Sequence, residues 1–147
     1  MSWKIETISP SDQKSLQESF AVFSVLRPAL IQDEFLARTQ TQFTEGYKMV
    51  CIRADGKIVA AAGYRFANFL AWGKVLYIDD LITHPDYKKQ GLGGALLDWL
   101  EEQAAQEKCE QIHLDTGYQR LDAHRLYLNK GFSLVSHHMA KIVSANT

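Results

Sequence analysis

Two neighbouring stretches of the chain contain residue types that could do chemistry. Two adjacent carboxylates, Asp79 and Asp80, stand inside the apolar run LYIDDLIT, and the segment KKQGLGGALL begins shortly afterwards at Lys88. A carboxylate can remove a proton from a reacting group, and glycines at the start of a helix can seat an anion on bare backbone N–H groups. The pattern therefore indicates proton transfer next to a bound phosphate.

The glycine segment is predicted to lie at the N-terminus of a helix, because apolar residues recur at every fourth position from Leu92 to Ala104. First-turn N–H groups have no helical partner and the helix dipole adds positive charge, while Gly91 and Gly93 let a phosphate approach closely. The segment matches neither the P-loop, which requires Gly-Lys-Ser/Thr, nor the dinucleotide fingerprint, whose third glycine would replace Leu96. Local packing of a tight turn is the alternative explanation.

The adjacent aspartates are unusual for a strand interior. Neighbouring side chains of a strand point to opposite faces, so one carboxylate would face the packed side unless a bulge redirects it. Because such conflicts with local rules concentrate at functional sites, Asp79 and Asp80 are the leading candidates for the chemistry. The alternative is one solvated aspartate and one structural partner of a lysine or a backbone amide.

The remaining sequence predicts one continuous α/β domain over residues 1–147, without linker or repeat. Ser9 and Pro10 are predicted to begin the first helix, which ends before Pro28, and Asp55-Gly56 predicts a hairpin turn. The predicted order is β-α-α-β-β-β-α-β-α-β-β, a mixed sheet with helices on its faces. Strands are expected at 3–8, on both sides of the hairpin turn, and at 73–83, 111–115, 132–136 and 138–143, with helices up to 26, over 29–43, from 92 and over 120–130.

Composition limits the partners. The chain has 16 basic and 17 acidic residues, and this balance argues against nucleic acid binding. The histidines form no HExxH or Cys/His cluster, and Cys51 and Cys109 lack metal spacing, so no metal site is predicted. Without a signal peptide or an apolar run of roughly 20 residues, the sequence predicts a soluble cytoplasmic protein that does not bind a membrane.

Two separated segments, in the family order, resemble the GNAT superfamily of acetyl-CoA-dependent N-acyltransferases. LYIDDLITHPDYKKQGLGGALL resembles motif A, whose pyrophosphate loop reads Gln/Arg-x-x-Gly-x-Gly/Ala, and AHRLYLNKGF resembles motif B. Two positions depart from the family pattern, since Lys88 stands where arginine or glutamine is usual and Arg120 where asparagine is common. The three defining places of motif A are filled by Lys88, Gly91 and Gly93, and the residues that match motif B are Ala123, Tyr127, Gly131 and Phe132.

The resemblance implies a central mixed, mostly antiparallel, twisted sheet of about six to seven strands, split into a V and flanked by about four helices. Acetyl-CoA would lie in the split, with its pantetheine arm pairing like an added strand and its pyrophosphate on the loop amides. For the helix residues, ordinary packing is the alternative. The residues implied to bind acetyl-CoA are Leu81, Ile82, Thr83, Lys88, Lys89, Gln90, Gly91, Leu92, Gly93, Gly94, Arg120, Ala123, Tyr127 and Lys130.

The resemblance also implies a ternary-complex mechanism with a general acid and a general base, and without a metal or a covalent nucleophile. An alkylammonium must lose a proton before its nitrogen attacks the thioester, and Asp80 or Asp79 would accept that proton directly or through water. Tyr127 would protonate the departing CoA thiolate. The backbone N–H of Leu81 or Ile82 would stabilise the oxyanion.

The acceptor is the least defined part. WGKVLYIDDLITHPDY resembles the polyamine-acetylating branch of the family, in which paired acidic residues face a cationic acceptor, and two carboxylates would suit a polyamine, an amino sugar or a lysine-like amine. The alternatives are a CoA-binding or sensing module without turnover, and acetylation of a protein lysine or N-terminus. Phe66, Phe69 and Trp72 are candidates for the acceptor pocket, the core or a homodimer contact.

Overall fold

The computed structural model describes residues 2–144. The chain forms two compact units, one up to Leu114 and one from Asp115 onward. The first contains a five-stranded sheet and three α-helices, and the second contains one α-helix. The strands are β1 (Trp3–Ile8), β2 (Lys48–Ala54), β3 (Lys57–Phe69), β4 (Gly73–Thr83) and β5 (Gln111–Leu114); the helices are α1 (Gln13–Leu26), α2 (Gln32–Thr44), α3 (Leu92–Gln106) and α4 (Leu121–Asn129), with a short 3-10 turn at Pro85–Tyr87.

The sheet is mixed and mostly antiparallel, as the sequence predicts. Its strand order is β1-β2-β3-β4-β5, and β5 alone runs parallel to its neighbour β4. The parallel ladder joins Val75–Ile78 of β4 to β5. The last part of β4, residues 80–83, continues to pair with β3 on its other edge.

The hairpin turn between β2 and β3 is confirmed. Asp55 and Gly56 adopt φ angles of 51° and 80°. Two consecutive residues with positive φ characterise the type I′ turn, whose twist matches that of the two flanking strands. The Asp-Gly pair therefore fixes the start of the pairing between β2 and β3.

The first helix begins later than the sequence predicts. Its N-cap is Asp12, whose carboxylate accepts a hydrogen bond of 3.1 Å from the backbone N–H of Ser15. The hydroxyl of Ser9, the expected cap, instead bonds the Ser11 hydroxyl at 3.0 Å. At the other end, the helix stops at Leu26 because the residue before Pro28 is restricted away from helical angles.

The helices cover both faces of the sheet. Along β2, Met49 and Cys51 join the core formed by α1 and α2, whereas the alternating residues Val50 and Ile52 are buried on the opposite side. Trp99 of α3 meets the ring of a β3 tyrosine edge-on at 5.9 Å, which places α3 on that opposite side. The sheet is thus covered by helices on both faces.

The expected sheet of six to seven strands is wrong for the described residues. The sheet has five strands, and residues 132–144 form neither strand nor helix. An alternating apolar pattern makes a strand only where a neighbouring strand accepts its backbone hydrogen bonds, and the predicted strands at 132–136 and 138–143 lack one in this structure. Their large apolar side chains are exposed; they are Leu134, Val135, Met139, Ile142 and Val143.

Candidate active site

A β-bulge in β4 governs the geometry of the two predicted carboxylates. Gly63 pairs with Asp80 and Tyr64 pairs with Ile78, so Asp79 is an extra residue on β4. Such a bulge breaks the regular alternation of side chains along a strand. The possibility that a bulge redirects one aspartate, raised by the sequence, is thereby confirmed.

Asp79 is held by an arginine of the neighbouring strand. The Nε and Nη2 groups of Arg65 donate to Oδ1 and Oδ2 of Asp79 at 3.0 and 2.6 Å, a two-point contact that is the strongest form of this ion pair. The same guanidinium lies over the ring of Tyr47, 5.5 Å from its centroid. Burial raises the pKa of Asp79, and Arg65 opposes this rise. Asp79 therefore has a structural partner, which is an arginine and not the lysine or backbone amide that the alternative named.

Asp80 is bound from two directions. Its Oδ1 accepts hydrogen bonds from Nε and Nη2 of Arg27, at 3.3 and 3.0 Å, and its Oδ2 accepts one of 2.8 Å from the hydroxyl of Tyr47. Burial, followed by the charge of Asp80, raises the pKa of Tyr47 well above its usual value. Since the phenol stays protonated, it acts as a fixed hydrogen-bond donor to the carboxylate.

A glycine makes room for this donor. Tyr47 lies over Gly63, where a Cβ atom would overlap the phenol oxygen and the adjoining ring carbon. Gly63 is also the residue of β3 that pairs with Asp80. The missing side chain at position 63 is therefore what allows the tyrosine to reach the carboxylate across the sheet.

A cavity of about 880 Å³ is lined by Asp80 and Tyr47 together with α1, α2 and their connection. This volume is in the range of small-molecule sites. Much of the lining is apolar, with Phe23, Leu26, Leu30 and Phe35 among it. Its charged members are Arg27, Glu34, Arg38 and Asp80.

The glycine loop occupies the helix start that the sequence predicts. Gly91 is the N-cap of α3 and has φ 79°, a left-handed conformation, and Lys89 also has positive φ at 63°. No side chain caps this helix end. A Cβ atom on Gly91 would meet open space, so the glycine is required for its backbone angle and not for local packing. The loop presents backbone N–H groups, with Lys88 and Lys89 exposed beside them.

The strand residues predicted to pair with pantetheine lie directly between the bulge and this loop. Leu81, Ile82 and Thr83 pair with β3 on one edge, beyond the end of the parallel ladder to β5. In the described part of the chain, the ladder to β5 does not extend to them. The edge of β4 on the β5 side is therefore not paired with β5 at residues 81–83, and an extended ligand could pair with it like an added strand.

The remaining predicted site residues belong to the second unit. Tyr127 is buried on α4, and its ring meets Phe132 edge-on at 5.9 Å. Burial raises the pKa of Tyr127, with Arg120 opposing. Arg120 is the N-cap residue of α4 and Lys130 its C-cap, while Ala123 is half-buried on the first turns. The structure therefore groups Asp79 and Asp80 in the first unit and the motif B residues in the second.

The aromatic residues of the β3–β4 hairpin are not in the cavity lining. Phe69 packs on Trp72 at 5.0 Å, and Trp72 stacks on His113 of β5 at 3.9 Å. These residues flank the start of β4, whereas Asp80 lies near its end, roughly 20 Å further along the strand. Phe66 and Trp72 are half-buried and Phe69 is exposed, so none of the three belongs to the buried core.

Tyr47 and Arg65 were not predicted as part of the site. Tyr47 directly follows the end of a helix, and Arg65 stands in a long apolar strand, so neither belongs to a motif. The available signal was Gly63, because a glycine inside a strand often marks a bulge or a close approach. The acidic pair alone gave no indication that arginines partner both carboxylates.

Other kinds of site receive no support from residues 2–144. In that range, no group of three or more histidines, cysteines or acidic residues could hold a metal ion. The helices of the same range are all too short or too polar to cross a membrane. Cys51 is buried, which raises the pKa of its thiol to about 11.

Comparison with known proteins gives matches over most of the chain. A family model described as Acetyltransferase (GNAT) family matches residues 14–132. An uncharacterized N-acetyltransferase, YhdJ, of Bacillus subtilis is 31% identical over 128 residues, which are 86% of this chain and 90% of that protein. An aminoalkylphosphonate N-acetyltransferase of Salmonella typhimurium is 42% identical over 55 residues, 37% of this chain and 36% of that protein.

The fold is also found among solved structures. An aminoglycoside N-acetyltransferase in complex with CoA superposes with a TM-score of 0.82, covering 96% of this chain and 94% of that one at 14% identity. At this level of identity the likeness establishes the fold.

Proposed function

The chain belongs to the acetyltransferase (GNAT) family and is an acetyl-CoA-dependent N-acetyltransferase, and we propose that it transfers the acetyl group directly to a primary amine of a small acceptor bound in the cavity beside Asp80. The observation that carries this proposal is the position of Asp80. Asp80 is among the residues that line the cavity, its carboxylate is fixed by Tyr47, and it precedes the strand edge and the glycine loop in the chain. The proposed base therefore lies on β4 at the cavity, and the residues proposed to bind CoA follow it in the chain.

The proposed base is Asp80 and not Asp79. Asp79 has both oxygens engaged by one guanidinium, whereas the Oδ1 of Asp80 faces a half-exposed arginine at the cavity. An acceptor ammonium, with a pKa of about 10, must lose a proton before its nitrogen can attack. Asp80 would accept this proton directly or through one water, which typically contributes about 10² to 10⁴-fold to the rate.

Acetyl-CoA is proposed to bind along β4 and the start of α3. The pyrophosphate would accept hydrogen bonds from the N–H groups of the loop 89–94, with Lys88 adding charge, and pantetheine would pair with 81–83. In the second unit, Tyr127 is proposed to protonate the departing thiolate, because a buried phenol with a raised pKa keeps its proton until the thiolate forms. Arg120, Ala123 and Lys130 are proposed as further cofactor contacts.

The acceptor class is proposed from the chemistry of the cavity and from a relative's name. The sequence suggests a cationic acceptor such as a polyamine, an amino sugar or a lysine-like amine, by attraction to two free carboxylates. Both carboxylates are paired with arginines, which weakens the case for a polycation. The feature that all three suggested acceptor classes share is a primary amine. The Salmonella relative is named for aminoalkylphosphonates, which are small primary amines.

Three further proposals concern the whole chain. It acts as a single N-acetyltransferase domain over residues 1–147, it acts in the cytoplasm, and it forms a homodimer, which sedimentation would test. The alternative of a CoA-binding module without turnover is set aside by the family match and by the N-acetyltransferase relative of Bacillus subtilis. Acetylation of a protein lysine or N-terminus is the remaining alternative, which peptide acceptors test.

The test is thiol release from acetyl-CoA with a panel of small amines and of peptides. The wild type is expected to release CoA with at least one small amine, and Asp80→Asn and Tyr127→Phe should each lower kcat by about 10²-fold or more. Asp79→Asn and Tyr118→Phe are the matched controls, since Tyr118 is an exposed tyrosine of the second unit. Tight acetyl-CoA binding without release for any small amine would contradict the proposed small-amine acceptor.

A further inference from the structure

The two ion pairs of the carboxylate cluster differ in geometry and exposure. Arg65 meets Asp79 with two parallel hydrogen bonds, one to each oxygen, and both side chains are mostly buried. Arg27 directs two donors to the single oxygen Oδ1 of Asp80, and 52% of its side chain is exposed against 16% for the aspartate. A shared-oxygen contact with a half-exposed arginine is the weaker of the two pairs. Arg27 is therefore the exchangeable partner.

Arg27 is placed to bind a ligand in the cavity. It follows the last residue of α1 and is among the residues that line the cavity. All of its side-chain hydrogen bonds within residues 2–144 leave from Nε and Nη2, which leaves the donors of Nη1 for another acceptor. Asp80 does not depend on Arg27 for its orientation, because Tyr47 holds the other oxygen. The aspartate can keep its place while Arg27 turns to a ligand.

The charges of the cavity are balanced before any ligand enters. Arg27 pairs with Asp80 at 3.0 Å, and Arg38 of α2 pairs more loosely with Glu34 at 3.9 Å. An acceptor that brings only positive charge must approach Asp80 against the guanidinium of Arg27 and leaves that guanidinium without its partner. An acceptor that also brings an anion gives Arg27 a replacement carboxylate, phosphate or phosphonate, while its amine takes the place of Arg27 at Asp80.

We propose that the acceptor is a short molecule with both a primary amine and an anionic group, and that Arg27 receives the anionic group while Asp80 faces the amine. The proposal rests on acetyl transfer at Asp80 and narrows its substrate class. The sequence suggested that two carboxylates attract a polycation. Here the ion pair between Arg27 and Asp80 is instead replaced by two contacts to the acceptor, one from each residue. Arg27 is thus a specificity-determining residue.

The test compares four amines of similar length that differ in their second group. Beta-alanine and aminopropylphosphonate carry an anion, propanolamine is neutral, and diaminopropane carries a second cation. With acetyl-CoA and the full chain, kcat/KM for the two acids is expected to exceed that for the other two amines by about tenfold or more. Comparable values for all four amines, or preference for diaminopropane, would overturn the proposal.

Variants of the two cavity arginines test whether Arg27 causes the preference for acidic amines. In Arg27→Gln the advantage of the acids should shrink to about twofold or less, through a higher KM for the acids. Arg27→Lys keeps the charge and should keep part of the advantage. Arg38→Gln removes the other cation of the cavity and should keep the full ratio. A ratio that survives Arg27→Gln, or that is lost in Arg38→Gln instead, would count against Arg27.

A binding measurement separates this proposal from the proposed reaction. The four amines are titrated by calorimetry into the protein saturated with CoA, which needs no turnover. The acids should bind more tightly than propanolamine, and Arg27→Gln should remove the difference. Such a ranking without any thiol release would support the acceptor class and contradict the reaction, whereas turnover with equal affinities would do the reverse.

Discussion

The hydroxyl of Tyr47 donates a hydrogen bond of 2.8 Å to Oδ2 of Asp80. The two residues are far apart in sequence, one after the end of α2 and the other behind the bulge of β4. Tyr47 is 4% exposed, so its phenol has little water to bond instead. The contact fixes the carboxylate from behind and leaves Oδ1 directed to Arg27 at the cavity.

Tyr47→Phe should slow the reaction. Burial keeps the pKa of Tyr47 well above its usual value, so the phenol donates across the whole assay range. Without this donor the Asp80 carboxylate loses the hydrogen bond that fixes it, and kcat should fall by about tenfold. Tyr64→Phe is the control, because Tyr64 is equally buried but contacts Trp99. A kcat equal to that of the wild type in a folded Tyr47→Phe would argue against the role of this hydrogen bond.

Gly63→Ala should destabilise the protein through Tyr47. A Cβ atom at position 63 overlaps the phenol, and relieving such overpacking typically requires shifts that cost about 1–3 kcal/mol. In a Tyr47→Ala background the same substitution should cost much less, because the overlapping atoms are gone. Urea unfolding of the four proteins of this cycle measures the coupling. An equal loss in both backgrounds would place the strain elsewhere.

Gly91→Val should weaken CoA binding more than it affects folding. The residue has φ 79° with open space around it, so the valine is disfavoured by the backbone angle and the loop must change conformation. Gly46→Val is the matched control, since Gly46 has φ 95° and equally open surroundings at the end of α2. Both variants should lose about 1 kcal/mol or more of stability. Calorimetric titration should show an affinity loss of about tenfold or more for Gly91→Val only; unchanged affinity in a folded Gly91→Val would contradict the assigned loop.

Asp79→Asn and Asp80→Asn should separate stability from catalysis. Asp79→Asn leaves Arg65 without its two-point partner beside Tyr47, and an unpaired charge in a mostly buried position should reduce the free energy of unfolding by about 1–3 kcal/mol. Asp80→Asn removes the proposed base and should mainly lower kcat. Urea unfolding and thiol release, measured on the same samples, give both quantities. If Asp79→Asn proves the more severe for kcat while remaining folded, the assignment of the base must be reversed.

Much of the fold follows from local sequence signals. The Asp-Gly turn and the four-residue repeat from Leu92 predict the β2–β3 hairpin and α3, because both depend on contacts between near neighbours in the chain. The alternation in WKIETI predicts β1, which forms because β2 is present to pair with it. The two terminal strands were predicted by the same kind of pattern and are absent from residues 132–144. A strand needs a partner, and alternation says nothing about whether one is present.

The sequence by itself determined the chemistry available and where in the chain it lies: the acidic pair on β4, the glycine loop at the start of α3 and the helical tyrosine of motif B. Only the tertiary structure decided how the acidic pair is used. Asp79 is the extra residue of a β-bulge, and the two adjacent carboxylates have different partners. Asp79 is held by Arg65, whereas Asp80 is held by Tyr47 and faces Arg27 and the cavity. These partners come from other strands and from a helix end, and contacts between distant segments depend on packing, which local patterns do not encode.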